Sequence, residues 1–294
     1  MMAKSIIRSL LTAAAVTLST TYGASVAGAG DVLTIGVRDD APPFSWRDED
    51  GHYRGFSVSL CKVIGESAKE SGEFSDYRFV GIDAKNRFDK LNDNKIDILC
   101  GATTVTLERM RKFDFTLFTF LSGASYMYPA EVGPIKHEDL KEKRIGVLGD
   151  TTTEELVRKK VATMIDPSIK PESLSIVVVD NHFDSIELLR KSEIDVYFAD
   201  REILLSLRGV AQLEHKTDFR VASVYLSYEP YALAVRRDAA DLLFRANQTL
   251  VMLFREREIF EIFREWFPGK AMSESLKQFY VLQQVPEGSP VIPR

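Results

Sequence analysis

The sequence predicts an α/β protein of two lobes, the first of them discontinuous along the chain. Short β-rich runs alternate with amphipathic stretches from Leu33 onward, and the alternation restarts at Arg144. Two extended, aromatic-rich segments, Leu121 to Ala130 and Val224 to Ala234, read as paired crossovers between the series. A long helical periodicity from Asp238 to Phe267 then returns the chain to the first lobe.

The elements follow in order. Residues 1–29 carry Lys4 and Arg8, no acid, an apolar run from Leu10 to Leu18 and small residues ending in Ala27-Gly28-Ala29, the pattern of a secretory signal peptide. The run is about half as long as a bilayer core requires, and the first cysteine, Cys61, lies too far on to anchor a lipid at a processed terminus. The first lobe is expected over 30–124 with 227–270. It contains a strand Leu33 to Val37, a helix Phe56 to Ser71, a strand Tyr77 to Gly81, a helix Lys85 to Asn92 and a buried strand Ile96 to Cys100. The second lobe, 125–226, contains strands Arg144 to Leu148, Ser175 to Val179 and Ile194 to Phe198, with helices near Thr152 to Ile165, Phe183 to Lys191 and Glu202 to Arg208. A C-terminal extension, 271–294, has a short helical stretch and then Pro286, Gly288, Pro290 and Pro293, a composition that frays. Cys61 and Cys100 fit equally a bridge in an oxidising compartment and two buried thiols.

The 294 residues are 45% hydrophobic, 28% charged and 10% aromatic, which excludes a disulfide-stapled miniprotein, a collagenous chain and a disordered tail. Removing Lys4 and Arg8 with the signal moves the net charge from -5 to -7. An acidic chain without a basic tract is a poor partner for nucleic acid. No Walker loop, no G-x-S-x-G and no metal-spaced Cys or His pair occurs, so no cofactor, metal or catalytic nucleophile is expected.

Chemistry is concentrated at strand ends, where open α/β sheets bind ligands. Gly101 to Arg109 follows the buried strand Ile96 to Cys100 with Thr104, Thr106 and Arg109; a polar loop with a surface arginine would read the same. Gly149 to Glu155 offers backbone N–H groups to an anion, while helix capping by Asp150 or Thr151 explains the same residues. Asp200 could hold an ammonium group or cap the following helix. Arg38 and Arg87 stand at strand and helix ends, where a lone arginine is usually solvated.

Together these clusters resemble the extracellular solute-binding proteins of polar amino-acid ABC importers, which have the periplasmic binding protein fold with a hinged cleft. The resemblance is carried by Ile35-Gly36 to Pro42-Pro43-Phe44, Gly55-Phe56-Ser57, Lys95-Ile96-Asp97, Thr104-Val105-Thr106 to Glu108-Arg109, Phe113 to Thr116, Lys143 to Leu148, Thr151-Thr152 and Ile194-Asp195 to Asp200, across residues 32–268. It implies that Arg109, with Thr104 and Thr152, grips a ligand α-carboxylate, and that Asp200, Thr104 and the Ala102 carbonyl accept from the ammonium. Arg38, Arg87 and His182 look like the glutamate/aspartate-binding branch, in which two arginines and a histidine surround a side-chain carboxylate.

Charge counting favours the same ligand: three arginines and Asp200 give an empty cleft of +2, which an acidic amino acid lowers to +1. Two positions depart from the family pattern: Asp150 replaces the usual Gly before Thr151-Thr152, and Ala41 stands where many relatives place an aromatic ring. The expected protein is a periplasmic, non-enzymatic, monomeric receptor that hinges near Ser122 to Tyr126 and Val224 to Tyr228 and hands glutamate or aspartate to a membrane permease. A dehydratase similar to cyclohexadienyl dehydratase, or a sensor for a membrane kinase, are the alternatives on the same fold.

Overall fold

The computed structural model describes residues 31–286, apart from 166, 168, 169, 171 and 172. The expected signal peptide and the last eight residues lie outside that range.

Thirteen strands are described: β1 (Val32–Arg38), β2 (Asp40–Ala41), β3 (Ser45–Arg47), β4 (Tyr53–Arg54), β5 (Asp76–Ile82), β6 (Ile98–Cys100), β7 (Phe113–Ser122), β8 (Ala124–Pro129), β9 (Arg144–Leu148), β10 (Ser175–Val179), β11 (Val196–Asp200), β12 (Phe219–Val221) and β13 (Glu229–Arg236). They form two five-stranded sheets, β5-β1-β6-β13-β7 and β10-β9-β11-β8-β12, with β2, β3 and β4 as a small antiparallel appendage. In each large sheet three strands run parallel. The fourth strand in order, β13 in one sheet and β8 in the other, arrives from the opposite lobe and runs against them, and the edge strand, β7 or β12, pairs antiparallel with it and so runs with the first three. Nearly continuous burial along β1, with only Val32 exposed, is the signature of a parallel strand covered on both faces.

The chain changes sheets twice, and the two passages touch. β7 ends at Ser122 and β8 begins at Ala124, so Gly123 alone separates them. A β-carbon on Gly123 would stand 2.3 Å from the Ser227 carbonyl oxygen of the returning passage, which is why this position has no side chain. The passages are also joined by hydrogen bonds from Ala124 N–H to Ser227 Oγ (3.0 Å) and from Leu226 N–H to the Ala124 carbonyl (2.8 Å). We expect Gly123→Ala to lower the thermal midpoint by several degrees, because backbone rather than a movable side chain meets the new methyl.

Some elements depart from expectation. The segment read as one crossover over Leu121 to Ala130 is the end of β7 plus β8, and Val224 to Tyr228 is irregular, with β13 starting only at Glu229. The periodicity Asp238 to Phe267 is two helices, Ala240–Arg255 and Glu258–Trp266, broken at Arg257 in the left-handed region (φ 64°). No glycine or proline announces that break. The helix expected to end at Arg208 continues through Gly209 to His215, held by buried Leu204, Leu207 and Ala211. The helix expected from Thr152 to Ile165 is helical throughout but contains a π turn at Val157–Val161. The three short strands after Arg38 carried no readable alternation.

Cys61, on the helix Phe56–Glu70, and Cys100, at the end of β6, form a disulfide across 39 positions. That settles the alternative left open by sequence, and it ties the helix to the strand that delivers Gly101 to Thr104. A loop of that length stabilises by about 3 to 4 kcal/mol in the chain-entropy account. Urea unfolding with and without reductant should differ by that amount; coincident curves would show that the bridge adds nothing.

Candidate functional site

The eight residues singled out by sequence, Arg38, Arg87, Ala102, Thr104, Arg109, Thr152, His182 and Asp200, line one cleft. They arrive from both lobes. β1 ends at Arg38, the loop after β6 supplies Ala102 and Thr104, and the turn after β9 supplies Thr152. The loop after β10 places His182, and β11 ends at Asp200. Leu148, Phe198 and Ile203 add apolar wall that the sequence reading did not assign. Ala41 is buried but is not among the lining residues.

Local structure decides between the readings that spacing left open. Thr106 caps the one-turn helix Leu107–Met110 by accepting from the Arg109 N–H (3.2 Å), which aims Arg109 back at the cleft. Its guanidinium donates through Nη1 to the Thr104 carbonyl (2.7 Å) and lies over the Phe88 ring (4.9 Å), so it is not a surface arginine. Thr151 is the true cap of the next helix, accepting from the Glu154 N–H (3.1 Å). Capping by Thr151 leaves the Thr152 hydroxyl to donate to Glu229 Oε2 (2.9 Å) and to approach Thr104 Oγ1 (3.4 Å) across the cleft. Asp200 occupies the N-cap position of the helix Arg201–His215 yet makes no side-chain cap. Its carboxylate accepts instead from the Tyr231 hydroxyl and from Thr153 Oγ1 (3.4 Å). Asp150 takes the left-handed conformation (φ 58°), which explains why glycine suits that turn, and its carbonyl accepts from Arg87 Nη2 (2.7 Å) of the other lobe.

The three arginines differ in what holds them. Arg38 is paired with Asp40, its Nε and Nη2 reaching Oδ1 at 2.8 and 2.5 Å, while Asp40 Oδ2 accepts from the His182 N–H (3.0 Å). Burial alone would raise the Asp40 carboxyl, but Arg38 and His182 together outweigh it and hold Asp40 below its ordinary value. Arg109 is eased downward by burial, with Glu229 and Asp200 opposing. Arg87 is 3% exposed and donates only to the Ala84 and Asp150 carbonyls; its Nε has no partner, and no carboxylate among the described residues pairs with it. Burial, then Arg38 and Arg109, push its pKa well down.

His182 is driven to about 4 by burial, with Asp40 opposing and Arg38 and Arg87 adding to the shift, so the ring is uncharged at neutral pH. Asp200 is pushed up to about 7 by burial and by Glu229, against the donation from Tyr231.

The expected charge of +2 needs correction. Asp40, spent on Arg38, and Glu229, which holds Thr152 and accepts from Ser227 Oγ (2.6 Å), bring the formal balance of the site to zero. Polarity is arranged by position instead: Arg38 and Arg87 stand with the imidazole, while Glu229 and Asp200 act on Arg109. Sequence reading missed both carboxylates because each acts from behind a residue it did identify. The only signals were the Arg38-x-Asp40 spacing and an acid, Glu229, inside an aromatic extended run.

Away from the cleft, His52 stands with Asp48 and Asp50, their ligand atoms all within 4.8 Å. Asp48 is engaged by Arg54 (2.6 Å) and by the His52 N–H (2.7 Å). Among the described residues no helix is long and apolar enough to cross a membrane.

This architecture has known counterparts. The chain is 25% identical over 259 residues to an L-glutamate/L-aspartate-binding protein of Pseudomonas aeruginosa, covering 84% of this chain and 83% of that one. It is 24% identical over 238 residues to an L-cystine-binding protein of Escherichia coli strain K12, covering 80% and 82%. Among solved structures it matches an ancestral arginine-binding protein bound to arginine at 27% identity and a TM-score of 0.69, covering 80% of this chain and 98% of that one. The two-sheet topology with paired crossovers is thus the periplasmic binding protein fold. Residues 33–269 match the model of the bacterial extracellular solute-binding proteins, family 3, and the chain belongs to that family.

Proposed function

We propose that this protein is the periplasmic receptor of an ABC importer for an acidic L-amino acid, glutamate or aspartate. The observation that carries the reading is Arg87, a buried guanidinium with an orphaned Nε and no carboxylate partner among the described residues, facing the cleft beside an uncharged histidine. A cation stripped of water costs several kcal/mol unless an anion meets it. A ligand with a second carboxylate supplies that anion; a neutral amino acid leaves Arg87 as it is, and a basic one adds repulsion.

In this reading the α-carboxylate lies on Arg109 with Thr104 and Thr152, and the ammonium on Asp200, Thr104 Oγ1 and the Ala102 carbonyl. The side-chain carboxylate lies among Arg87, Arg38 and His182. Because both lobes contribute to each end, the ligand favours the closed form through contacts the open form lacks. The moving bodies are residues 30–124 with 227–270 and residues 125–226, hinged near Ser122 to Tyr126 and Val224 to Tyr228. After removal of residues 1–29 the monomer works in the periplasm and delivers its ligand to a membrane permease, with no reaction of its own.

Calorimetric titration of the mature protein with all twenty amino acids and cystine, after unfolding and refolding to remove carried-over ligand, tests this. Heat is expected for glutamate and aspartate. Silence toward both, with clear heat for arginine, cystine or a neutral amino acid, overturns the acidic specificity.

The Asp200 assignment predicts a pH dependence. Below about 7 this carboxyl holds a proton that an incoming ammonium displaces, so affinity rises with pH and levels off above 7, by about 20-fold between pH 5.5 and 7.5. His182, titrating near 4, contributes nothing in that interval. For folding of the empty protein the sign is opposite: the protonated carboxyl favours the folded state, a contribution complete below 3.8 and lost as pH rises through about 7. An affinity that is flat between pH 5.5 and 7.5 would remove Asp200 from the ammonium site.

A further inference from the structure

Behind His182 stands a residue that neither the sequence nor the ligand pose assigns. Tyr197 lies on β11, fully buried, and its hydroxyl is 2.8 Å from His182 Nδ1 with the two rings nearly perpendicular (86°). Room for the ring comes from Gly146 on β9, where a β-carbon would stand 3.1 Å from Tyr197 Cδ2. The His182 main chain is fixed as well, its N–H to Asp40 and its carbonyl accepting from Ser185 Oγ (2.7 Å).

Two proton arrangements satisfy the Tyr197–His182 contact, and they are not equal. If Nδ1 carries the hydrogen, it donates to the tyrosine oxygen, and the tyrosine hydrogen is left in the core with no acceptor among the described residues. A buried donor without a partner is costly. If the tyrosine donates, Nδ1 accepts, and the imidazole hydrogen must sit on Nε2, the ring nitrogen left for the cleft. Burial keeps the Tyr197 hydroxyl protonated, so its hydrogen remains available to donate.

We propose that Tyr197 is a positioning residue that fixes His182 as the Nε2–H tautomer, so that the cleft meets the ligand with an uncharged, obligate hydrogen-bond donor. In the opposite tautomer the Nε2 lone pair would face a carboxylate oxygen and repel it. The affinity consequence rests on the acidic-ligand reading above; the tautomer itself does not.

The test uses the mature protein with ¹⁵N-labelled histidine, freed of ligand by refolding, and two-bond ¹H–¹⁵N correlation at pH 7.5, with His182→Gln identifying the signal. The wild type should show a protonated Nε2 at His182. Tyr197→Phe should shift the ring to the Nδ1–H form or a mixture, and should weaken L-glutamate binding about tenfold. A wild-type Nδ1–H ring, or a tautomer unchanged in Tyr197→Phe, overturns the proposal. If neither glutamate nor aspartate binds the wild type, the functional reading fails, while the spectra still decide the tautomer.

Discussion

Replacing Arg109 by alanine is expected to abolish binding of every amino acid, with affinity falling at least about 1000-fold for glutamate, aspartate and glutamine alike. The α-carboxylate is common to all of them, and Arg109 is the guanidinium best prepared for it. Its Nη1 is anchored to the Thr104 carbonyl, its plane rests on Phe88, and Glu229 and Asp200 help hold its charge. Phe88 in turn stacks on Phe113 with ring centroids 5.2 Å apart. Calorimetry of the refolded variant checks the expectation. Retention of glutamate binding within about tenfold would mean that the carboxylate lies elsewhere.

Arg87→Ala is expected to behave differently: glutamate and aspartate weaken about 100-fold, while any residual affinity for glutamine changes by less than about threefold. The contrast follows from the partners. Arg38 already has Asp40, so a ligand carboxylate adds only a second acceptor to a satisfied cation, whereas Arg87 has backbone carbonyls and an empty Nε. Arg38→Ala should therefore cost less for acidic ligands than Arg87→Ala, even though both face the same end of the cleft. Equal losses for glutamate and glutamine in Arg87→Ala would place this residue away from the side chain and remove the basis for acidic specificity.

Much of this was readable from residues in a row. β1, β9 and β11 are apolar runs whose ends carry Arg38, the Thr151-Thr152 turn and Asp200, and an open α/β sheet gathers such ends in one place. What stayed hidden was whatever depends on two distant segments meeting. Whether Asp200 capped its helix could not be decided until Tyr231, 31 positions later, was seen to occupy its carboxylate. Glu229 and Asp40 cancel charge that looked free when the arginines were counted alone. Tyr197 resembled any core aromatic in a buried strand. The break at Arg257 escaped because a left-handed arginine leaves no mark in a periodic apolar pattern.

Tyr231 has a wider meaning. It belongs to β13, which begins where the chain has just recrossed between the lobes, and its hydroxyl bonds the carboxylate assigned to the ammonium. On the proposed function, the ammonium site is thus one hydrogen bond away from the strand that follows the crossover, and reciprocity of coupled equilibria applies. Any partner that binds the closed form raises ligand affinity by the same factor by which the ligand raises affinity for that partner. A permease that grips the closed form would hold the ligand more tightly at first contact, and release would require the membrane partner to force the joint open.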